Sequence, residues 1–147
     1  VAPALLDDHL LSAALLGPSP LRLQDGSDRW FTTGLWHHRL CRAVTNRAIV
    51  GRLSRRLDHL PPDDLAGFQR QLLDLPPTIG LVSLRHLAWP MAQLLDQGVR
   101  LNLLSLEALA AAEELGATIC LAPEDENPPL VEAAEARGVE VQVVPIG

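Results

Sequence analysis

The chain has 147 residues, 48% of them hydrophobic and 20% charged with a net charge of −6, the size and balance of one domain with one core, expected to span residues 1–147. No apolar run approaches the ~18 residues of a membrane span, and the start lacks the basic, apolar and small-residue order of a signal peptide, so a cytoplasmic protein without membrane contact is expected. Cys41 and Cys120 match no CxxC spacing, which excludes a disulfide scaffold and reads both as small buried hydrophobes.

In chain order, Ala4-Leu5-Leu6 reads as a short buried strand, and Asp7-Asp8 then caps a helix that ends at Gly17-Pro18. Residues 17–28 are rich in Gly, Pro, Ser and Asp and read as a loop, with room for one short strand around Leu21 to Leu23. From Thr33 to Val44 the apolar residues Leu35, Leu40 and Val44 fall near helical spacing, with Thr32 or Thr33 as the N-cap. Pro61-Pro62 and Pro76-Pro77 bracket a further helix whose apolar face is Leu65, Phe68, Leu72 and Leu75.

Ile79 to Val82 reads as extended and Leu84 to Leu95 as a helix that Pro90 kinks or breaks. The helix from about Leu104 to Leu115 is apolar almost all round, which implies burial on several sides, and Gly116 ends it. The last third is a βαβ pattern: Thr118 to Leu121, a helix over Leu130 to Arg137 stopped by Gly138, and a strand over Val139 to Val144. Short apolar strands separated by helices predict an α/β fold, a three-layer α/β/α sandwich with a mainly parallel central sheet of about four or five strands.

Charge is distributed unevenly. Between Asp28 and Asp58 there is no acid but seven arginines, Arg29, Arg39, Arg42, Arg47, Arg52, Arg55 and Arg56, whereas from Glu107 onward nine acids face Arg137 alone. Such a basic segment suits a phosphate backbone or an acidic partner, and it suits equally a face that pairs with the acidic third of the same molecule or of a dimer mate. Nucleotide, serine-hydrolase and zincin signatures are absent. His37 and His38 are adjacent, not four apart, so they face different directions and make no metal pair. Trp30, Trp36 and Trp89 read as core or groove residues, since no strand alternates aromatics with arginine.

Acids follow two expected strands: Asp7 and Asp8 after the first, Glu124, Asp125 and Glu126 after the fourth. The carboxyl ends of parallel strands are where ligands and metals gather, and carboxylates meeting there suit Mg²⁺ or Mn²⁺ and phosphodiester hydrolysis. The structural alternative is a helix cap and a solvated loop.

Two stretches resemble the PIN-domain family, the small ribonucleases best known as toxins of bacterial toxin–antitoxin pairs. Leu5-Leu6-Asp7-Asp8-His9-Leu10-Leu11 is similar to the family's opening strand, acid and helix, and Ser105 to Ala117 with the strands and helix that follow is similar to its C-terminal half. The resemblance implies a Mg²⁺- or Mn²⁺-dependent endoribonuclease built on four carboxylates, in a domain that commonly forms homo-oligomers such as a homodimer. Here Ser105 stands where the family has an acid, Glu107 points about 200° round the helix, and another acid position falls at His38 or Arg39. Glu124 and Asp125 come late on their loop, which leaves Asp7 as the well-placed acid. An arginine in a ligand's place repels a cation and neutralises Asp7.

The resulting expectation is a PIN-like domain with a degenerate nuclease site and no bound cofactor, an RNA- or protein-interaction module using Arg39, Arg42, Arg47, Arg52, Arg55 and Arg56. The alternative is an endoribonuclease with Mg²⁺ or Mn²⁺ held by Asp7 together with Asp8, Glu124 and Asp125.

Overall fold

A computed structural model of the chain describes residues 1–16, 29–46 and 57–146. Its elements are β1 (Ala4–Leu6), α1 (Asp8–Leu15), β2 (Trp30–Thr33), α2 (Gly34–Thr45), α3 (Pro62–Leu73), β3 (Ile79–Val82), α4 (Leu84–Asp96), α5 (Leu103–Leu115), β4 (Thr118–Leu121), a 3₁₀ turn (Pro123–Asp125), α6 (Pro128–Ala136) and β5 (Val141–Val143). The five strands form one all-parallel sheet in the order β3-β2-β1-β4-β5. The expected α/β sandwich is therefore present, and its architecture is compatible with a PIN-like fold.

Parallel strands are buried on both faces, and β1 shows why its sequence reads as an unbroken apolar run. Leu5 points into a core shared with Ile119 and Leu121 of β4 and with α4, α5 and α6, while Ala4, Leu6 and Cys120 point to the other side with Leu10 of α1. On that second side α1, α2 and α3 meet through Leu11, Leu15, Leu40, Phe68 and Leu72. Helix α5 is buried continuously from Ser105 to Ala112, because Ala108, Ala110, Ala111 and Ala112 let it approach neighbours on several sides. Gly116 ends it in the left-handed region at φ 60°, and Ala117 N–H bonds Ala112 C=O at 2.9 Å, the pairing that closes a Schellman end.

Local signals placed most boundaries. Asp7, Thr33, Asn102 and Asn127 each accept a hydrogen bond from a backbone N–H of the helix they precede. Thr32 has another task, donating to Leu6 C=O at 3.0 Å and tying β2 to β1. Thr33 caps α2 as expected, while Trp30 to Thr33 forms β2, a strand that was not expected there. Two expectations are corrected. Of the kink or break expected at Pro90 the break is absent, since α4 runs through it from Leu84 to Asp96. Trp89 is neither core nor groove but 74% exposed. The strand expected at Leu21 to Leu23 lies outside the described residues. Among the described residues, no helix is long and apolar enough to cross a membrane.

Gly80 of β3 lies opposite Phe31 of β2. A Cβ on Gly80 would sit 2.5 and 2.6 Å from two carbons of the Phe31 ring, well inside contact distance. Gly80→Ala is expected to destabilise by about 1–3 kcal/mol through this overpacking; urea unfolding is the check, and an unchanged midpoint would show that the ring moves aside freely.

Candidate functional site

Strand order reverses between β1 and β4: the chain runs from β1 outward through β2 to β3, then returns to β4 on the other side of β1. Loops diverge at such a switch point and leave a crevice at the carboxyl ends of the strands. Asp7 follows β1 there, and the 3₁₀ turn that follows β4 carries Asp125.

Asp7 is fully buried. Its Oδ1 accepts the Leu10 N–H at 2.8 Å, which caps α1, and its Oδ2 accepts the Ala122 N–H at 2.8 Å, which fastens the end of β4 to β1. Asp7 is thus a clamp between two strands and a helix before it is anything else. Asp8, in the first turn of α1, is also fully buried, and its Oδ1 accepts the His9 N–H at 3.0 Å. Burial pushes the Asp7 carboxyl up to about 7 against the two amide hydrogen bonds that lower it, with Asp125 adding to the rise. Burial likewise pushes Asp8 up to about 8, aided by Asp125 and opposed by Arg39. A buried carboxylate beside another carboxylate takes a proton more readily than either does in water.

The cation at this cluster comes from the chain. Arg39, on α2, places Nε 3.2 Å from Asp8 Oδ2 and its Nη2 3.5 Å from Asp125 Oδ1. The guanidinium spans the two acids as an ion pair without making a hydrogen bond to Asp8 Oδ2, which has no hydrogen-bond partner, nor has Asp125 Oδ2. The arginine side chain is 40% exposed and the Asp8 side chain 0%, so solvent screens one end of the pair only. The expected neutralisation by an arginine is present, but its targets are Asp8 and Asp125 rather than Asp7.

Glu107 explains how α2 is held for this contact. It is fully buried on α5, and its Oε1 accepts the Leu35 N–H at 2.9 Å in the first turn of α2, where the helix dipole favours an anion. Its Oε2 has no hydrogen-bond partner. Arg39 sits one turn further along α2, so the acid on α5 sets the position of the base that reaches Asp8. Ser105, in the place of an expected acid, accepts from Asn127 Nδ2 at 2.6 Å. Ser105, Asn127, Trp36, Arg39 and Asp125 line a cleft of about 30 Å³, room for a water but far below a nucleotide pocket.

Of the residues singled out in the sequence, the structure brings together Asp7, Asp8, Asp125 and Arg39. Glu124 is exposed on the same turn, and Arg42 is exposed on α2. Arg47, Arg52, Arg55 and Arg56 lie outside the described residues. Asp125 was the weaker candidate on spacing; the 3₁₀ turn bends it back toward β1, a device that the residue count along a loop does not reveal. Two larger hollows, of about 400 and 510 Å³, lie away from the acids, around Thr118 and Glu140 and around Arg100 and Glu132. Arg137, which borders both, is engaged by Glu113 at 2.6 and 3.1 Å and by Gln97 at 2.9 Å, a tie between helices. Cys41 is half-buried, and burial pushes its thiol up, away from nucleophilic use.

The donor chemistry permits a test of fit to a divalent ion. Asp8, His9 and Asp125 offer ligand atoms within 4.8 Å of one another, a spacing that suits Mg²⁺ or Mn²⁺. The guanidinium already lies against two of these acids, so an ion entering the cluster meets a fixed positive charge. No family model matches the sequence, and no curated protein matches it.

A raised carboxyl has a definite consequence for stability. Between its unfolded value near 3.8 and its folded value near 8, Asp8 binds more protons folded than unfolded, so its contribution is fully present below pH 4 and is lost as pH rises toward 8. Asp8→Asn keeps the Oδ1 acceptor and removes the titration. The variant is expected to gain on wild type by about 1–3 kcal/mol between pH 5 and pH 8.5, read from urea unfolding at both pH values; a difference independent of pH would show that Asp8 ionises normally.

Proposed function

We propose that the chain is a PIN-like domain whose acidic crevice is neutralised by its own Arg39, and that it serves as a binding module for an anionic partner, with an RNA backbone the first to test and an acidic protein segment the other, and not as a nuclease. One observation carries this reading: a single guanidinium lies 3.2 and 3.5 Å from two of the three gathered carboxylates. The hydrogen-bonded Ser105 and Asn127 pair supports it, standing where a further acid would be needed. Arg42, exposed one turn along from Arg39, continues a basic segment that sequence places mainly on residues 29–56. Binding through such a segment would be sensitive to salt and indifferent to sequence.

The second reading, a divalent-ion-dependent endoribonuclease, draws on Asp8, His9 and Asp125, whose ligand atoms lie together, with Asp7 beside them. Arg39 separates the two readings, since a nuclease would need the arginine out of the cluster.

Calorimetric titration with Mn²⁺ is the test, run on wild type and Arg39→Ala beside cleavage of a mixed RNA pool. Wild type is expected to show neither saturable Mn²⁺ binding nor metal-dependent cleavage, while Arg39→Ala gains Mn²⁺ affinity by about tenfold or more as the repelling charge goes. Saturable binding by wild type, with cleavage that Asp125→Asn abolishes, would overturn the proposal in favour of the nuclease.

A further inference from the structure

The hollow of about 510 Å³ beside α6 is a trough with two unlike walls. One wall is a face of α6, where Pro129, Ala133 and Ala136 recur at helical spacing. The other is the connection from α4 to α5, of which Val99 and Leu101 line the hollow and pack against the core beneath it. Gln97 Oε1 accepts from Arg137 Nη1 at 2.9 Å at the end of α6, and Ser105 Oγ accepts from Asn127 Nδ2 at 2.6 Å at its start. The connection therefore runs along α6 in the opposite direction, and both walls are apolar.

Polar groups are left unspent on this trough. Arg100 and Glu132 stand on opposite walls, and among the described residues neither has an ion pair or a side-chain hydrogen bond. They share one hollow without pairing with each other. In the hollow of about 400 Å³ the charges are engaged instead, Arg137 by Glu113 and Glu140 by Gln142 at 3.0 Å. The backbone of the connection is open as well. Val99 N–H bonds Leu94 C=O at 3.0 Å, whereas the N–H and C=O groups of Arg100 and Leu101 bond no other backbone group among the described residues. Open backbone groups beside apolar side chains are what an added peptide pairs with. A guest that uses every one of these groups has an anionic end, a cationic end, amides between them and an apolar body, which is the chemistry of a short peptide with both termini charged.

We propose that the trough between α6 and the α4–α5 connection binds a short apolar peptide with free termini, its carboxylate at Arg100, its ammonium at Glu132 and its amides beside the backbone of Arg100 and Leu101. The hollow falls in the range of pockets that take a drug-sized molecule, about the size of a tripeptide. Arg100 and Glu132 are exposed, so solvent and salt screen both charge contacts and binding is weak, on the order of millimolar. This inference is independent of the acidic crevice and of binding through the basic segment.

Titration of the full chain with the tripeptide alanyl-leucyl-alanine, followed by the backbone amide signals in NMR, is the test; the same spectra verify that each variant is folded. Saturable shifts are expected at Gly98 to Leu101 and at Glu132 to Arg137, and Ala136→Trp, which fills the trough from an exposed position, is expected to abolish them. Amidating the peptide carboxylate, or acetylating its ammonium, is expected to weaken binding by about threefold, the worth of one exposed ion pair. The decisive arm crosses these changes with the protein: Arg100→Gln binds more weakly than wild type but is indifferent to amidation, and Glu132→Gln is indifferent to acetylation. A loss of fold or a general change in surface charge does not produce that matching. Absence of saturable shifts at the trough overturns the proposal, as do capped peptides that bind as well as the free one, or variants that remain sensitive to the matching cap.

Discussion

The carboxylate of Asp7 is the constraint on which the rest of the crevice depends. Each of its oxygens holds a backbone N–H, one starting α1 and one ending β4, so a single buried side chain fixes the distance between the two strands that flank the switch point. With that distance set, the 3₁₀ turn after β4 delivers Asp125 toward Asp8, and three acids share a space from which water is largely excluded. Their mutual repulsion and desolvation must be answered by protons, by a metal or by a resident cation. Arg39 lies against two of them, and burial raises the carboxyl groups of Asp7 and Asp8 above their ordinary range.

The placement of Arg39 is itself the result of a second buried acid. Glu107 reaches from α5 to the amide of Leu35, which anchors the start of α2 where its dipole is positive. One turn on, the arginine reaches Asp8 from above. A chain of three contacts, Glu107 to α2, α2 to Arg39 and Arg39 to Asp8 and Asp125, thus links the central helix to the acids across the crevice. It also pairs one arginine of the basic segment, Arg39, with one acid of the acidic third, Asp125.

Much of the architecture was legible because local chemistry and global fold agree. Prolines bracket α3, Gly116 and Gly138 stop two helices, and apolar runs mark β1 and β4. The strand β2 was hidden because Trp30 to Thr33 is not the unbroken aliphatic run that marks β1, and it passes into α2 with no loop between them. Trp89 was misread from residue type alone: helical spacing sets it on the side away from Leu87, Met91 and Leu94, the face that α4 buries. In the site, Asp7 could be placed from its position after an apolar run. Asp125 and Glu107 could not, because one depends on a turn that reverses the chain and the other on which neighbour a nearly all-apolar helix presents its acid to.

The central claim is that Arg39 is the resident cation of the cluster, and NMR of its guanidinium tests this most directly, with exposed Arg42 on the same helix as the internal reference. The account predicts that the Arg39 Nε–H signal is displaced from that of Arg42, that rotation about its Nε–Cζ bond is slowed, and that Asp125→Asn moves both properties toward those of Arg42. An Arg39 indistinguishable from Arg42 and unmoved by Asp125→Asn would contradict it.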